Sequence, residues 1–292
     1  MRILVTGAEG QLGHEFIKQL DIGGCELGEI PSSFAGAKVK GVDIGDYDLT
    51  DASAVDKNIG AGGYDIVINC AAFTNVDACE SQPDTAHAAN AAAPRNIAAA
   101  CEKTGAKLVH ISTDYVFSGD ADTPYTEDMP TEPNSVYGTA KLAGEIAVRE
   151  TCRRHFIART QWLYGQHGKN FVKTIMNAAR ENGEVKVVDD QYGCPTNAVD
   201  LAYFLLAMAA GESYGTYHCV NSGVTSWYGF TREIIKLADI GAAVTPCTTE
   251  EFPRPAPRPA YSALDNSKLT QTVGIAPRSW HDAIASYLKN KY

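Results

Sequence analysis

The chain predicts an α/β fold, a doubly wound parallel sheet followed by a smaller C-terminal lobe. Short β-branched runs alternate with amphipathic or Ala-rich stretches, a glycine-spaced turn follows the first run at once, and the alternation breaks down after about residue 160. Apolar runs without internal polar residues suit strands covered on both faces, and their alternation with helices suits parallel pairing.

The elements follow in order. Residues 3–5 form the first strand and residues 11–20 the first helix, separated by Gly7, Gly10 and the residues between them. Residues 21–37, with four glycines and one proline, read as an inserted loop before a second strand at 39–42. Strands at 66–69, 108–112 and 156–159 continue the sheet, with helices at 85–104 and 136–150 between them. A helix at 170–181 and a strand at 185–188 come next. Asp189-Asp-Gln-Tyr-Gly-Cys-Pro-Thr196 is turn-rich. Phe252-Pro-Arg-Pro-Ala-Pro-Arg-Pro259 excludes regular helix and central strand, because proline has no amide hydrogen to donate. We expect residues 1–160 to form mainly the larger domain. Residues 161–292 form mainly a lobe closing over it, with some strands and helices returning to the larger domain.

Composition narrows the function. The 292 residues are 45% hydrophobic and 21% charged, enough for a full core. A net charge of −10 argues against nucleic acid and against an anionic membrane surface as partners. The eight cysteines are scattered without any Cys-x-x-Cys, so free thiols in a reducing compartment are expected and no metal site. No apolar run approaches the roughly 20 residues of a membrane helix. The opening strand leaves no room for a secretory leader, and a cytoplasmic protein is expected.

Strand, Gly7-x-x-Gly10-x-x-Gly13, then helix is a device for holding a pyrophosphate, as in Rossmann-type dinucleotide sites. Gly7 permits the tight turn, Gly10 lets the backbone approach phosphate, and Gly13 allows close helix–strand packing. Gln11 and Leu12 open the helix whose N-terminus faces the negative charge. Asp43, at the end of the second strand, is placed to accept from a ribose hydroxyl and to repel a 2′-phosphate. Lys38 and Lys40 pull the other way, so NADH and NADPH both stay open. Asp48 and Leu49 either flank the adenine or belong to a helix cap made by Thr50 or Asp51. Ala71 and Ala72 are small residues at a strand end, suited either to a close-lying cofactor or to core packing.

Tyr137 and Lys141 lie four apart, on one face of the helix at 136–150. A phenol near pKa 10 is a poor acid-base catalyst at neutral pH, and a neighbouring ammonium would lower it. Such pairs also arise on helix surfaces without any chemistry. Beside a dinucleotide turn, the pair points to a nicotinamide-dependent oxidoreductase.

Ser112-Thr-Asp-Tyr-Val-Phe117 follows the fourth strand and precedes Tyr137. Further segments are Gly10-Gln-Leu-Gly13, Asn69-Cys-Ala-Ala-Phe-Thr-Asn-Val-Asp77, Tyr137-Gly-Thr-Ala-Lys141, Arg159-Thr-Gln-Trp-Leu-Tyr-Gly165, Asp190-Gln-Tyr-Gly-Cys-Pro-Thr196 and Arg258-Pro-Ala-Tyr-Ser-Ala-Leu-Asp265. In this order they resemble the extended short-chain dehydrogenases/reductases and, among them, the dTDP-4-dehydrorhamnose reductase family. The glycine turn and the Tyr/Lys pair are general to the superfamily, whereas the last three segments are much more diagnostic.

The resemblance implies NAD(P)H-dependent reduction of the 4-keto group of a dTDP-6-deoxy sugar to dTDP-L-rhamnose. Tyr137 would donate the proton, Lys141 would lower its pKa and hold the nicotinamide ribose, and Thr113 would hydrogen-bond the carbonyl oxygen, unless it merely caps the strand end. Thr74, Val76, Thr113, Asp114 and Trp162 would meet the sugar, Thr74 also the cofactor, and Arg258, with Arg254, the nucleotide phosphates. Gln161 and Cys194 depart from the family pattern, each standing where a small hydroxyl residue is expected. A monomer or homodimer is expected. Two alternatives stay open: a reductase or epimerase of another nucleotide sugar, and a non-catalytic subunit like the relative that accompanies methionine adenosyltransferase. Tyr115, where a dehydratase would need a glutamate, weighs against dehydration.

Overall fold

A computed structural model of the chain describes residues 1–290. Its centre is a six-stranded sheet: β1 (Arg2–Thr6), β2 (Lys38–Val42), β3 (Ile66–Asn69), β4 (Lys107–Thr113), β5 (His155–Thr160) and β6 (Gly215–His218). The strand order is β6-β5-β4-β3-β1-β2, with every pair parallel. The helices that matter below are α1 (Gln11–Ile22), α2 (Ala93–Thr104), α3 (Val136–Thr151), α4 (Phe171–Asn182), α5 (Ala198–Ala210), α6 (Trp227–Leu237) and α7 (Trp280–Lys289).

Side chains alternate along each strand, so one run of apolar residues feeds two cores. Ile3, Val5, Ile68 and Val109 pack with Phe16 of α1 and with Leu201, Phe204 and Leu205 of α5. Leu4, Val67, Leu108 and Ile157 pack on the opposite side with Ile97 and Cys101 of α2 and Val148 of α3. The doubly wound α/β fold expected from the alternation is the observed one. β1 lies between β2 and β3, so successive connections leave it in opposite directions. A crevice opens there, beyond the carboxyl ends of the strands. Under the crevice Thr6 donates to Asn69 at 2.7 Å, and Asn69 contacts His110 Nδ1 at 3.0 Å.

Four local expectations are corrected. The run at 185–188 does not join the central sheet: Glu184–Val188 pairs with Ala243–Cys247 in a separate parallel ribbon packed on α4 and α6. The sixth central strand is β6, which follows α5. That helix was missed because it is apolar on almost every side and shows no helical period. The helix at 85–104 is interrupted by a π-helical turn at Ala88–Ala92. Residues 21–37 are more than a loop: Gly24–Cys25 pairs with Gly28–Glu29, and Ile30 and Phe34 are buried in the main core. The turn-rich stretch at 189–196 contains Tyr192–Gly193, paired with Thr225–Ser226, and leads into Thr196–Asn197, paired with Leu163–Tyr164.

Candidate active site

A cleft of about 1160 Å³ is lined by the glycine turn, by residues at the carboxyl ends of the central strands, by the start of α3 and by residues 160–163, 168 and 169. Gly7 has φ +65°, and a Cβ there would stand 2.8 Å from the Ala71 amide nitrogen. A Cβ on Gly13 would lie 2.2 Å from the Gly7 carbonyl oxygen, so only glycine lets α1 pack this close to the turn. Gly10 begins α1 without any side-chain cap, which leaves the first amides, near Gln11 and Leu12, available to an anion. These features fit a pyrophosphate. Asp43 lines the cleft, its two carboxylate oxygens accepting the Glu9 and Ile44 amides at 2.9 and 2.8 Å. Asp48 and Leu49 also line it. Hydrogen bonds from the Thr50 hydroxyl and amide hold the Asp48 carboxyl below the usual carboxylate range. The cap is made instead by Asp51, which accepts from Ser53 and Ala54. The capping reading of this segment thus falls on Asp51, while Asp48 and Leu49 line the cleft.

Ala71, Ala72, Thr74, Val76, Thr113, Tyr137 and Lys141 line the same cleft, Ala71 directly against the glycine turn. Ser135 caps α3 by accepting the Gly138 amide at 3.1 Å, which fixes Tyr137 on the first turn. Gly138 packs so closely on Tyr115 that an added Cβ would stand 2.2 Å from its carbonyl oxygen. The rings of Tyr115 and Tyr137 meet edge to face.

Lys141 is buried and donates to the Ile111 carbonyl at 2.6 Å. Burial pushes its ammonium down to about 8, with the Glu145 carboxylate opposing that fall. Burial pushes the Tyr137 phenol above its usual value, while the Thr113 hydroxyl acts in the opposite sense. In the protein alone, burial of the phenol outweighs any lowering by Lys141. The ammonium faces a carbonyl and is itself weakened, so desolvation of the phenol wins. Tyr137 keeps its proton.

Thr113 donates to Asp114 Oδ1 at 2.9 Å and accepts the Tyr115 amide at 3.3 Å. It therefore caps the turn at Asp114–Val116 and also lines the cleft. Asp114 is 2% exposed, and its Oδ2 has no hydrogen-bond partner among the described residues. Burial pushes this carboxyl up to about 6. Trp162 lines the same end of the cleft.

The profile of the RmlD substrate binding domain matches residues 1–292. The chain belongs to this family. It is 39% identical over 290 residues to the spore coat polysaccharide biosynthesis protein SpsK of Bacillus subtilis, covering 99% of this chain and 98% of that one. The crystal structure of a dTDP-4-dehydrorhamnose reductase from Clostridium acetobutylicum is 46% identical and superposes with a TM-score of 0.93, covering 99% of both chains. That of the Bacillus anthracis dTDP-4-dehydrorhamnose reductase in complex with NADP is 38% identical, with a TM-score of 0.91, covering 99% of this chain and 98% of that one.

Arg258 and Arg254 are the candidates of this RmlD-family chain that stand outside the cleft lining. The Arg258 guanidinium pairs with Asp77 at 2.8 Å, next in sequence to Val76. Arg254 lies over the Phe252 ring. The two departures from the family pattern turn out to be linked. Gln161 donates to the Ser262 carbonyl at 2.6 Å and accepts the Cys194 amide at 2.7 Å, tying together the three diagnostic segments. Sequence reasoning passed over Thr160 and Lys169 and used Tyr115 only to argue against dehydration, yet all three line the cleft. Tyr115 lay inside a quoted motif. The only signal for Lys169 was a cation in a glycine-containing loop just ahead of α4.

Proposed function

We propose that this chain reduces the 4-keto group of dTDP-4-dehydro-6-deoxy-L-mannose to give dTDP-L-rhamnose, with NADPH or NADH as reductant. The carrying observation is the convergence of Thr113, Asp114, Tyr137, Lys141 and Trp162 on one cleft that the uncapped glycine turn also lines. Membership of the RmlD family and the names of its relatives support the substrate and the cofactor.

When bound, the dihydronicotinamide supplies a hydride to the sugar C4. Tyr137 holds its proton firmly in the buried site and releases it only to the strongly basic alkoxide oxygen formed at C4. Thr113 orients that oxygen by turning its hydroxyl from Asp114 towards it. Lys141, one turn along α3, gives the positive charge against which the phenolate left on Tyr137 is tolerated until it is reprotonated. The glycine turn and α1 hold the pyrophosphate, and Asp43 takes the ribose. Thr74, Val76, Asp114 and Trp162 form the sugar end. Arg258 joins them only by exchanging its Asp77 partner for a phosphate.

The test is oxidation of NADPH or NADH, followed by absorbance, with the keto sugar generated in place by the preceding dehydratase and epimerase. Oxidation that requires the epimerised sugar and yields dTDP-rhamnose is expected. Tyr137→Phe should lower kcat by about a thousandfold or more with cofactor binding retained. Full turnover in that variant would discard the mechanism.

A further inference from the structure

Trp162 lines the sugar end of the cleft with φ +48°, a backbone conformation that a bulky residue seldom takes. Such a conformation persists where the surroundings over-determine it. Three contacts do so here. The Trp162 carbonyl accepts the Thr196 amide at 3.2 Å. The benzo edge of the indole lies over Gly193, where an added Cβ would stand 2.8 Å from Cε2 and 3.0 Å from Cζ2. The indole face stacks on Trp227, with centroids 3.6 Å apart and planes 12° from parallel.

Trp227 itself is not part of the cleft lining. It is the first residue of α6, behind the capping Ser226, whose hydroxyl accepts the Gly229 amide at 3.0 Å. Thr225 and Ser226 pair with Tyr192 and Gly193, so the strand carrying the glycine and the helix carrying the second indole are joined. Phe171, at the start of α4, packs against Trp227 at 4.3 Å. Trp227 is thus braced by α4 and by the pairing at Tyr192–Gly193, and in turn braces a cleft wall.

We propose that Trp227 is a positioning residue: it fixes the Trp162 indole as the wall of the sugar end without lining the cleft itself. This rests on the sugar-nucleotide reading given above. Trp227 then governs affinity for the sugar substrate and leaves the cofactor end, built from α1 and the glycine turn, untouched.

The experiment compares the full-length wild type with Trp227→Leu and Trp227→Phe, using steady-state kinetics, NADPH titration and far-ultraviolet circular dichroism. Two stacked indoles give an exciton couplet, which Trp227→Leu should abolish. That variant should raise KM for the keto sugar by about five- to tenfold, the scale of one aromatic stacking contact. Its NADPH Kd should stay within about twofold of wild type, and Trp227→Phe should recover most of the KM. An unchanged KM in a folded Trp227→Leu overturns the proposal, as does an equal loss of NADPH affinity. If Trp227→Leu does not fold, the wild type decides: a couplet that survives saturation with dTDP-rhamnose supports the brace, and one that vanishes overturns it. Wild-type protein that keeps its couplet yet shows no sugar-dependent turnover would instead sink the reductase reading, a result distinct from all of these.

Discussion

At Asp114 burial decides the charge state. Below about pH 4 this carboxyl is protonated in both folded and unfolded chains. As pH rises the unfolded chain ionises first, whereas the folded one holds its proton to about 6. The stability of the neutral form is thus fully present below the unfolded value and is lost as pH rises through about 6. Asp114→Asn keeps an acceptor for Thr113 and removes the charge. It should match wild type at low pH and exceed it by about 2–3 kcal/mol above pH 6, in denaturant unfolding followed across pH. A difference that does not vary with pH would refute this. Lys141 behaves in the opposite sense. Its ammonium is lost as pH rises through about 8, so kcat/KM for the cofactor should fall there. Lys141→Arg should carry that limb upward.

Between elements, two contacts set the site. The first is α1 on the glycine turn. Gly13→Ala would drive a methyl into the Gly7 carbonyl oxygen. It should cost about 1–3 kcal/mol and weaken cofactor binding, read by thermal unfolding and by titration. The second is Glu145, fully buried on α3. It accepts two N–H groups of Arg159 on β5, at 2.9 and 2.8 Å, and the Ser112 hydroxyl of β4 at 2.6 Å. One carboxylate thus joins the two elements that carry Thr113 and Tyr137 to the strand that runs towards Trp162. Glu145→Gln leaves a buried guanidinium uncompensated and should cost about 3–5 kcal/mol in urea unfolding. A double replacement by Leu and Met should restore much of this, because the burial cost of both charges disappears.

For the molecule as a whole, the N-terminal hairpin and the C-terminal helix are joined through Arg278. Its guanidinium takes both oxygens of the fully buried Asp200 on α5, at 2.6 and 2.8 Å, and also pairs with the exposed Glu26. Arg278→Met strands the Asp200 charge and should cost about 3–5 kcal/mol, whereas Glu26→Gln should cost under about 1 kcal/mol. Denaturant midpoints of the two variants would separate them. None of this was visible in the chain, since Glu26 and Arg278 lie 252 residues apart. By contrast, a strand, a glycine turn and a helix are neighbours in sequence, and residues four apart on a helix share a face. That locality made Gly7, Gly13, Tyr137 and Lys141 legible.

The sequence by itself determined the alternation of strands and helices, the glycine turn and the spacing of the Tyr/Lys pair. Each depends on interactions within a few residues. Only the tertiary structure decided that 215–218, and not 185–188, completes the central sheet, because strand pairing depends on which helices cover which face. It also decided the direction in which Tyr137, Lys141 and Asp114 are pushed, which follows from their burial. The orientation of Trp162 belongs to the same class, for it is set by Gly193 and Trp227.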